Sequence, residues 1–487
     1  MFSEFQGDII YKYNQNKTQT LELEVRLGSN PKTEETLISE HSFLRLLNKL
    51  QKKRFLSETE HSTDYLYEND IRKRVTEEST IWQRKKALYI QKKTEYGAKL
   101  TLSEETNLVD MTERKAKTLR LFRIRDRISF FYGTYGMRID LTRVNSVLVT
   151  EALRSQLREG KEEELVNEAS RGETRYEVEI EYQGKDLTLL SEFFEGIDII
   201  WKWLYGTANL YTYGEKIDMV DRINGLFDSK IRGNVDKNII VEARNLKLRD
   251  LVWGGLIGNK ETNYTATIKV DGQRKLFIID KIGIWFVYPP HEYNLVFRPQ
   301  ERFESIANTI LDGELVPKRN RQMSTKEEVR NAKYFYVPFD CLMFAGNRDV
   351  QYLQLDKRHN FVDELAKGFR TKYIYLYTKN FYTINTVDDF RRVNATILEK
   401  STTRDFLDDG IIFTPINEVY NPHNEYLPMN KRVLSRVSDV CKWKPTDQLT
   451  IDFAIVWKMD ENGKEIPVLH VSDKGELVPF EGTAWLP

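Results

Sequence analysis

The chain has 487 residues, too many for one ordinary core, so two or three domains are expected. Charged residues make up 30% and aromatics 12%, and 74 basic residues balance 74 acidic ones, a globular composition that excludes a global positive field for holding nucleic acid. The two cysteines, Cys341 and Cys441, exclude a disulfide framework and zinc-ligand spacing, which suits a reducing compartment.

The opening run MFSEFQGDIIYKYNQ lacks the apolar core of a signal peptide, and no stretch approaches a membrane span. A soluble intracellular protein with no membrane partner is therefore expected. Residues 1–225 read mainly as strands. LELEVRL (21–27), LRLFRIRDRISFFY (119–132), MRIDLTRV (137–144) and YEVEIEY (176–182) alternate apolar and polar with period two. Helices are predicted near Ser42–Lys52, Thr150–Ala169 and Leu187–Leu204. The glycine-, asparagine- and charge-rich stretch NGLFDSKIRGNVDKN (224–238) has no periodicity, which predicts a linker over 226–238 between independent cores. Strands and helices mix over 239–445. From Ile451, short strands joined by Asn-Gly and Lys-Gly turns suggest a small β-barrel over 446–487. Such a barrel needs about five strands, and the pattern supplies about three, so the chain is expected to be cut inside that domain.

One face of 21–27 carries Glu22, Glu24 and Arg26; one face of 176–182 carries Glu177, Glu179 and Glu181; and 119–132 lines up Arg123, Arg125, Arg127 and Ser129. A solvated sheet face is the ordinary reading of any one of these strands. Carboxylates two apart on one face repel, however, unless a cation sits between them, and acidic strands beside an arginine ladder suit the inside of a closed barrel. Asp126 breaks the apolar face of its strand.

In the second half, TIKVDGQRK (267–275), ILDGELV (310–316), FDCLMF (339–344), DGIIFTP (409–415) and CKWKP (441–445) occur in that order, followed by TIDF (450–453). Each alone is weak, since Asp-Gly is most often a turn. As a set they resemble the covalent nucleotidyltransferases, which include mRNA guanylyltransferases and polynucleotide ligases. The resemblance implies that Lys269 attacks the α-phosphate of a nucleoside triphosphate and expels pyrophosphate. Only a neutral amine attacks, so Lys442, Lys444 and a metal ion would favour deprotonation and stabilise the phosphates. It further implies Arg274 and Glu314 at the ribose hydroxyls, Asp271 and Asp409 near Lys269 and the metal, and Phe339 stacked on the base. DGIIFTP and KWKP resemble the capping guanylyltransferases, which use GTP; ligases usually have Glu-Gly-Val in the former place.

The first half resembles the triphosphate tunnel metalloenzymes, RNA 5′-triphosphatases built on an antiparallel β-barrel. That resemblance implies Mg²⁺ or Mn²⁺ held by Glu22, Glu24, Glu177, Glu179 and Glu181. The RNA triphosphate would be gripped by Lys85 (beside Arg84 in IWQRKKAL), Arg125, Arg127 and Arg138 (beside Asp140 in RIDL). An α+β chain with both halves resembles the capping enzymes of large cytoplasmic DNA viruses. The implied substrates are 5′-triphosphate RNA and GTP, in host cytoplasm or virion. The implied companion is a cap methyltransferase domain or subunit, although no glycine-rich loop for S-adenosylmethionine occurs here. An ATP-dependent RNA or DNA ligase, and a non-catalytic RNA 5′-end binder, are the alternatives.

Overall fold

A computed structural model describes residues 1–16, 20–28, 38–109, 111–112, 118–184, 186–258, 263–298, 303–369, 371, 373–399, 405–420, 440–445, 454–459, 465–473 and 476–479. After helix α1 (Gln6–Gln15) come strand β1 (Leu21–Leu27) and helix α2 (Glu40–Lys52). Then follow β2 (Leu56–Tyr67), β3 (Ile71–Thr76), β4 (Thr80–Lys93), β5 (Ala98–Asn107), β6 (Leu119–Tyr132) and β7 (Met137–Leu148). Helices α3 (Glu151–Arg158) and α4 (Glu163–Arg171) lead to β8 (Arg175–Tyr182), and α5 (Leu190–Tyr205) and α6 (Tyr213–Leu226) complete this half. The eight strands close into an antiparallel barrel in the order β1-β5-β4-β3-β2-β6-β7-β8.

The barrel is polar inside and apolar on much of its outer wall. Leu23, Val25 and Leu27 of β1 are buried in one cluster with Phe43 and Leu46 of α2 and Phe193, Ile197 and Trp201 of α5. The glutamates that alternate with them therefore face inward. Strands β2 to β4 lack a clean alternation because their inner positions are charged and much of their outer face is wet. That is why they did not read as regular strands. Asp126 has a simple explanation: it lies on the wet outside, 65% exposed, where His61 of the paired strand meets it at 2.5 Å. The helix expected over 150–169 is two helices. The unanticipated α6 is fixed by a capping box, Thr212 Oγ1 accepting from Glu215 N and Glu215 from Thr212 N.

The second half contains β9 (Arg244–Asn245), β10 (Tyr264–Val270), β11 (Gln273–Ile279), β12 (Ile284–Tyr288), β13 (Glu292–Phe297) and β14 (Thr309–Leu315). Helix α7 (Glu327–Asn331), β15 (Tyr334–Met343), α8 (Leu355–Gly368), β16 (Ile374–Leu376), β17 (Tyr382–Ile384), α9 (Val387–Glu399), β18 (Asp408–Pro415) and β19 (Cys441–Trp443) follow. They form two sheets, β17-β10-β18-β19-β9 and β13-β12-β11-β14-β15-β16. A separate antiparallel meander contains β20 (Ala454–Met459), β21 (Glu465–Asp473) and β22 (Glu476–Pro479). The whole chain is thus mixed α+β, as expected.

The expectation of independent cores is corrected. Leu276, Ile278, Trp285, Val287 and Leu295 of the second half belong to the same buried cluster as Ile139 and Val178 of the barrel wall. Trp285 is wholly buried, its ring 5.1 Å from that of Tyr211. The segment 226–238 is packed between the halves: Val235 is wholly buried, and Asn224 binds the carbonyls of Ile231 and Asn234, each at 2.9 Å. Glycine and asparagine composition resembled a tether because these residues satisfy each other's backbone groups. Removing a buried tryptophan costs about 3–5 kcal/mol. Trp285→Ala should therefore lower the melting temperature of the barrel and the second half together, in one calorimetric transition. Two separate transitions, with the barrel's unchanged, would contradict a shared core.

Candidate active sites

Inside the barrel, β1 and β8 pair with Glu24 opposite Glu181 and Arg26 opposite Glu179. Burial, with Glu22 and Asp140 nearby, pushes Glu181 up to about 7 despite Arg138. Glu22 and Glu24 are also raised, mainly by burial, with Glu105 and Glu179 respectively adding to it. Glu179 goes the other way: its burial is outweighed by Arg26, Arg127 and Arg125, which hold it well below the carboxylate range. Arg127 Nη2 reaches Glu179 at 3.1 Å and its Nη1 reaches Asp140 at 2.9 Å. Arg138 binds Asp140 at 2.9 Å and also meets Glu181.

Glu22, Glu24, Glu179 and Glu181 are therefore gathered on neighbouring strands. Glu177 stands apart: Arg123 Nη2 binds its Oε1 at 2.6 Å, and its Oε2 is buried without a hydrogen-bond partner. Lys85 points inward, bonded to Glu22 and, at 3.0 Å, to Glu24, whereas Arg84 is exposed. Among the described residues no three or more such ligands stand in metal-binding geometry. The donor set nonetheless suits a hard divalent cation, because its crowded carboxyls are all oxygen ligands with like-charge repulsion to relieve. Arg125, 3% exposed, binds Asp64 at 2.9 Å and is pulled down to about 10 by burial and Arg127. Asp64 is held at about 2, its burial outweighed by Arg74, Arg125 and Arg72. Arg72, Arg74 and Asp64 were missed from sequence, and Arg26 was placed on the charged face of its strand but given no role. Arg72 and Arg74 alternate along β3 as Glu22 and Glu24 do along β1, a signal that could have found them.

The second site lies where the two sheets of the second half meet. Strand β10 pairs with β18 from Tyr264 to Val270, but the register shifts between Ile268 and Val270, leaving Lys269 at a bulge. A bulge re-aims its side chain out of the pleat. Lys269 Nζ donates to Asp409 Oδ1 at 2.6 Å, and Lys444 Nζ binds the other oxygen at 2.7 Å. Lys442 lies on β19 beside buried Cys441, two residues from Lys444 on the same side of an extended chain. Asp271 does not meet Lys269: Asn320 Nδ2 binds its carboxylate at 2.8 Å and its carbonyl at 2.9 Å, so it pins the turn.

Arg274 donates Nε to Asp312 Oδ1 at 3.0 Å and Nη1 to the carbonyl of Val241 at 2.6 Å, and Tyr420 binds Asp312 Oδ2 at 2.8 Å. Glu314 lies opposite Arg274 on paired strands. Its Oε2 is buried without a partner, and burial pushes its carboxyl up to about 7 against the pull of Arg274, Lys269 and Lys379. Phe339 occupies a second register shift, between Asp312–Asp340 and Gly313–Pro338. Arg274 and Lys379 lie 5.3 Å and 5.1 Å from its ring centre. Lys379, missed from sequence, is buried and brought down to about 7 by that burial. It comes from the polar connection between β16 and β17, which has no periodic signal. Asp312 was legible as the first residue of Asp-Gly-Glu but was passed over for Glu314.

Residues 258–446 match the family model described as mRNA capping enzyme, catalytic domain. No curated protein matched the chain in sequence. Among solved structures, the RNA triphosphatase Pct1 of S. pombe is 13% identical, covering 40% of this chain and 90% of its own, with a TM-score of 0.30. The mimivirus capping enzyme triphosphatase is 15% identical, covering 41% and 98%, with a TM-score of 0.30. The Chlorella virus DNA ligase-adenylate is 14% identical, covering 49% and 80%, with a TM-score of 0.25. Similarity at this level carries nothing about activity.

The buried, unpartnered Oε2 of Glu314 gives a stability test. Its folded value, about 7, lies above its ordinary 4.5, so its neutral form is favoured and its charged form costs stability. The cost is absent below pH 4.5, grows between 4.5 and about 7, and is complete above that. Glu314→Gln should thus raise stability at pH 8 by about 1–3 kcal/mol and leave it unchanged near pH 4. Chemical denaturation at both values measures this; destabilisation at pH 8 would contradict it.

Proposed function

We propose that this chain, whose residues 258–446 match an mRNA capping enzyme catalytic domain, caps RNA 5′ ends with two sites. The carrying observation is Lys269 at the β10 bulge, bonded to Asp409, whose second oxygen takes Lys444. In this reading the deprotonated Lys269 amine attacks the α-phosphorus of GTP. A phosphoramidate bond forms as the bond to pyrophosphate breaks. Asp409 orients the amine, while Lys442 and Lys444 offset charge on the phosphates. Arg274, held by Asp312 and Val241, and Glu314 bind the ribose. A terminal oxygen of diphosphate RNA then attacks the same phosphorus, and Lys269 leaves and regains its proton.

Phe339 carries the base, and the Lys379 ammonium beside it favours guanine. Guanine offers O6 as an acceptor where adenine offers an amino donor. The barrel removes the γ-phosphate of triphosphate RNA. Glu22, Glu24, Glu179 and Glu181 would hold Mg²⁺ or Mn²⁺, which supplies charge neutralisation and water activation when bound. Lys85, Arg125, Arg127 and Arg138 grip the triphosphate, and Glu177 positions Arg123. A cap methyltransferase, as a further domain or subunit, fits downstream of such a product, and a large DNA virus fits as its source.

Radiolabelled GTP should label the protein covalently and ATP should not. Lys269→Arg should abolish labelling, because a guanidinium stays protonated and cannot attack. Equal labelling by ATP would move the protein to the ligases. Glu24→Ala and Glu179→Ala should each eliminate phosphate release from γ-labelled triphosphate RNA while Lys269 is still labelled by GTP. Loss of both activities with an unchanged circular dichroism spectrum would contradict two separate sites, and loss of neither would make the glutamates a structural lining.

A further inference from the structure

The segment between β9 and β10 presents an aromatic ring that nothing in the two sites uses. Trp253 is 73% exposed, with Leu248 at 86% and Val252 at 57% beside it in sequence. A tryptophan so exposed is uncommon, and this one sits in a closely hydrogen-bonded turn. Leu256 N donates to Asp250 O at 2.8 Å, Gly255 N to Val252 O at 2.9 Å and Gly254 N to Ile257 O at 2.8 Å, closing a tight hairpin. Trp253 pairs with Ile257 as a bridge across it. The indole lies against Gly258, where a Cβ would come within 2.5 Å of ring atoms. The ring is thus backed by glycine while most of its surface remains in solvent.

The surrounding charge has one sign left over. Within 244–253 the ionisable residues are Arg244, Lys247, Arg249 and Asp250. Asp250 is consumed by Arg244, at 2.6 and 2.8 Å, and by the Lys247 amide at 2.7 Å. Lys247 and Arg249 remain, both exposed. The hairpin is also joined to the nucleotidyl-transfer site. Leu246 N donates to Lys442 O at 2.8 Å, β9 runs parallel beside β19, and the carbonyl of Val241 accepts from Arg274.

We propose that the Trp253 hairpin is a stacking platform for the acceptor RNA, taking an unpaired base near the 5′ end on the indole and the flanking phosphates on Lys247 and Arg249. This rests on the capping reading and adds a site for the second substrate. Stacking on an exposed aromatic tolerates any base, and two cations at its edge favour a polyanion over an apolar protein surface. A ligand used only in the second half-reaction suits a platform that follows β9, the strand beside the one that carries Lys442.

The test separates the half-reactions on the full chain. Trp253→Ala should form the Lys269–GMP adduct from GTP at the wild-type rate. Its transfer of GMP to a short 5′-diphosphate RNA, at subsaturating RNA, should be slower by about tenfold, the loss expected for one base stack. Trp253→Phe should recover most of the transfer. Lys247→Gln/Arg249→Gln should flatten the dependence of transfer on salt. RNA affinity, read by anisotropy of a labelled 5′-diphosphate oligomer, should weaken in parallel. Unchanged RNA affinity and transfer in Trp253→Ala would overturn the proposal and leave the patch to a protein partner. Loss of the GMP adduct in Trp253→Ala would overturn it too, by making the hairpin part of the GTP site. Should wild-type protein form no adduct, the capping reading fails, and the anisotropy measurement still decides the platform.

Discussion

One carboxylate answering two lysines organises the second half of the chain. Asp409 stands between Lys269 and Lys444, which arrive from positions far apart in sequence, and it keeps two like charges close together. The neighbouring backbone is shaped to allow this. Gly410 has φ +137°, and a side chain there would run into the carbonyl of Trp443, so only glycine lets β18 approach β19 closely enough for Lys444 to reach. On the other side the β10 bulge turns Lys269 toward the same carboxylate. A second register shift does the same for Phe339 in the facing sheet. The site is thus built by local faults in regular pairing.

The barrel meets a related constraint by a different route. Its interior holds far more charge than a protein core tolerates unpaired, and almost every inward cation is matched to a carboxylate. The match is uneven. Arginines crowd around Glu179, while Glu22, Glu24 and Glu181 are left with raised affinities for protons. The charges inside the barrel are thus unevenly neutralised from one carboxylate to the next.

Legibility followed periodicity. Strands β1, β6, β7 and β8 were readable because an apolar outer face alternates with charge, as in Leu23, Glu24 and Val25. Strands β2 to β5 escaped a periodic reading, β2 to β4 because they are polar on both faces. In the second half the motif order singled out Lys269 and Asp409, which meet, and Arg274 and Glu314, which lie opposite each other on paired strands. Asp271 was read as a site carboxylate, and Asn320 ties it to the turn after β10, a long-range partner no local pattern announces. Lys379 was invisible for the same reason. The packed segment 226–238 misled because its polar residues bond to each other, and composition does not distinguish that from solvation.

The buried cluster around Trp285 draws residues from both halves. All of this rests on Lys269 being the residue that carries the nucleotide. Peptide mapping by mass spectrometry, after incubation with GTP and a divalent metal, tests that directly. The account predicts one added GMP per chain, on the peptide containing Thr267–Lys275 and fragmenting at Lys269. A GMP found on Lys379, Lys442, Lys444 or any residue of the barrel would contradict it.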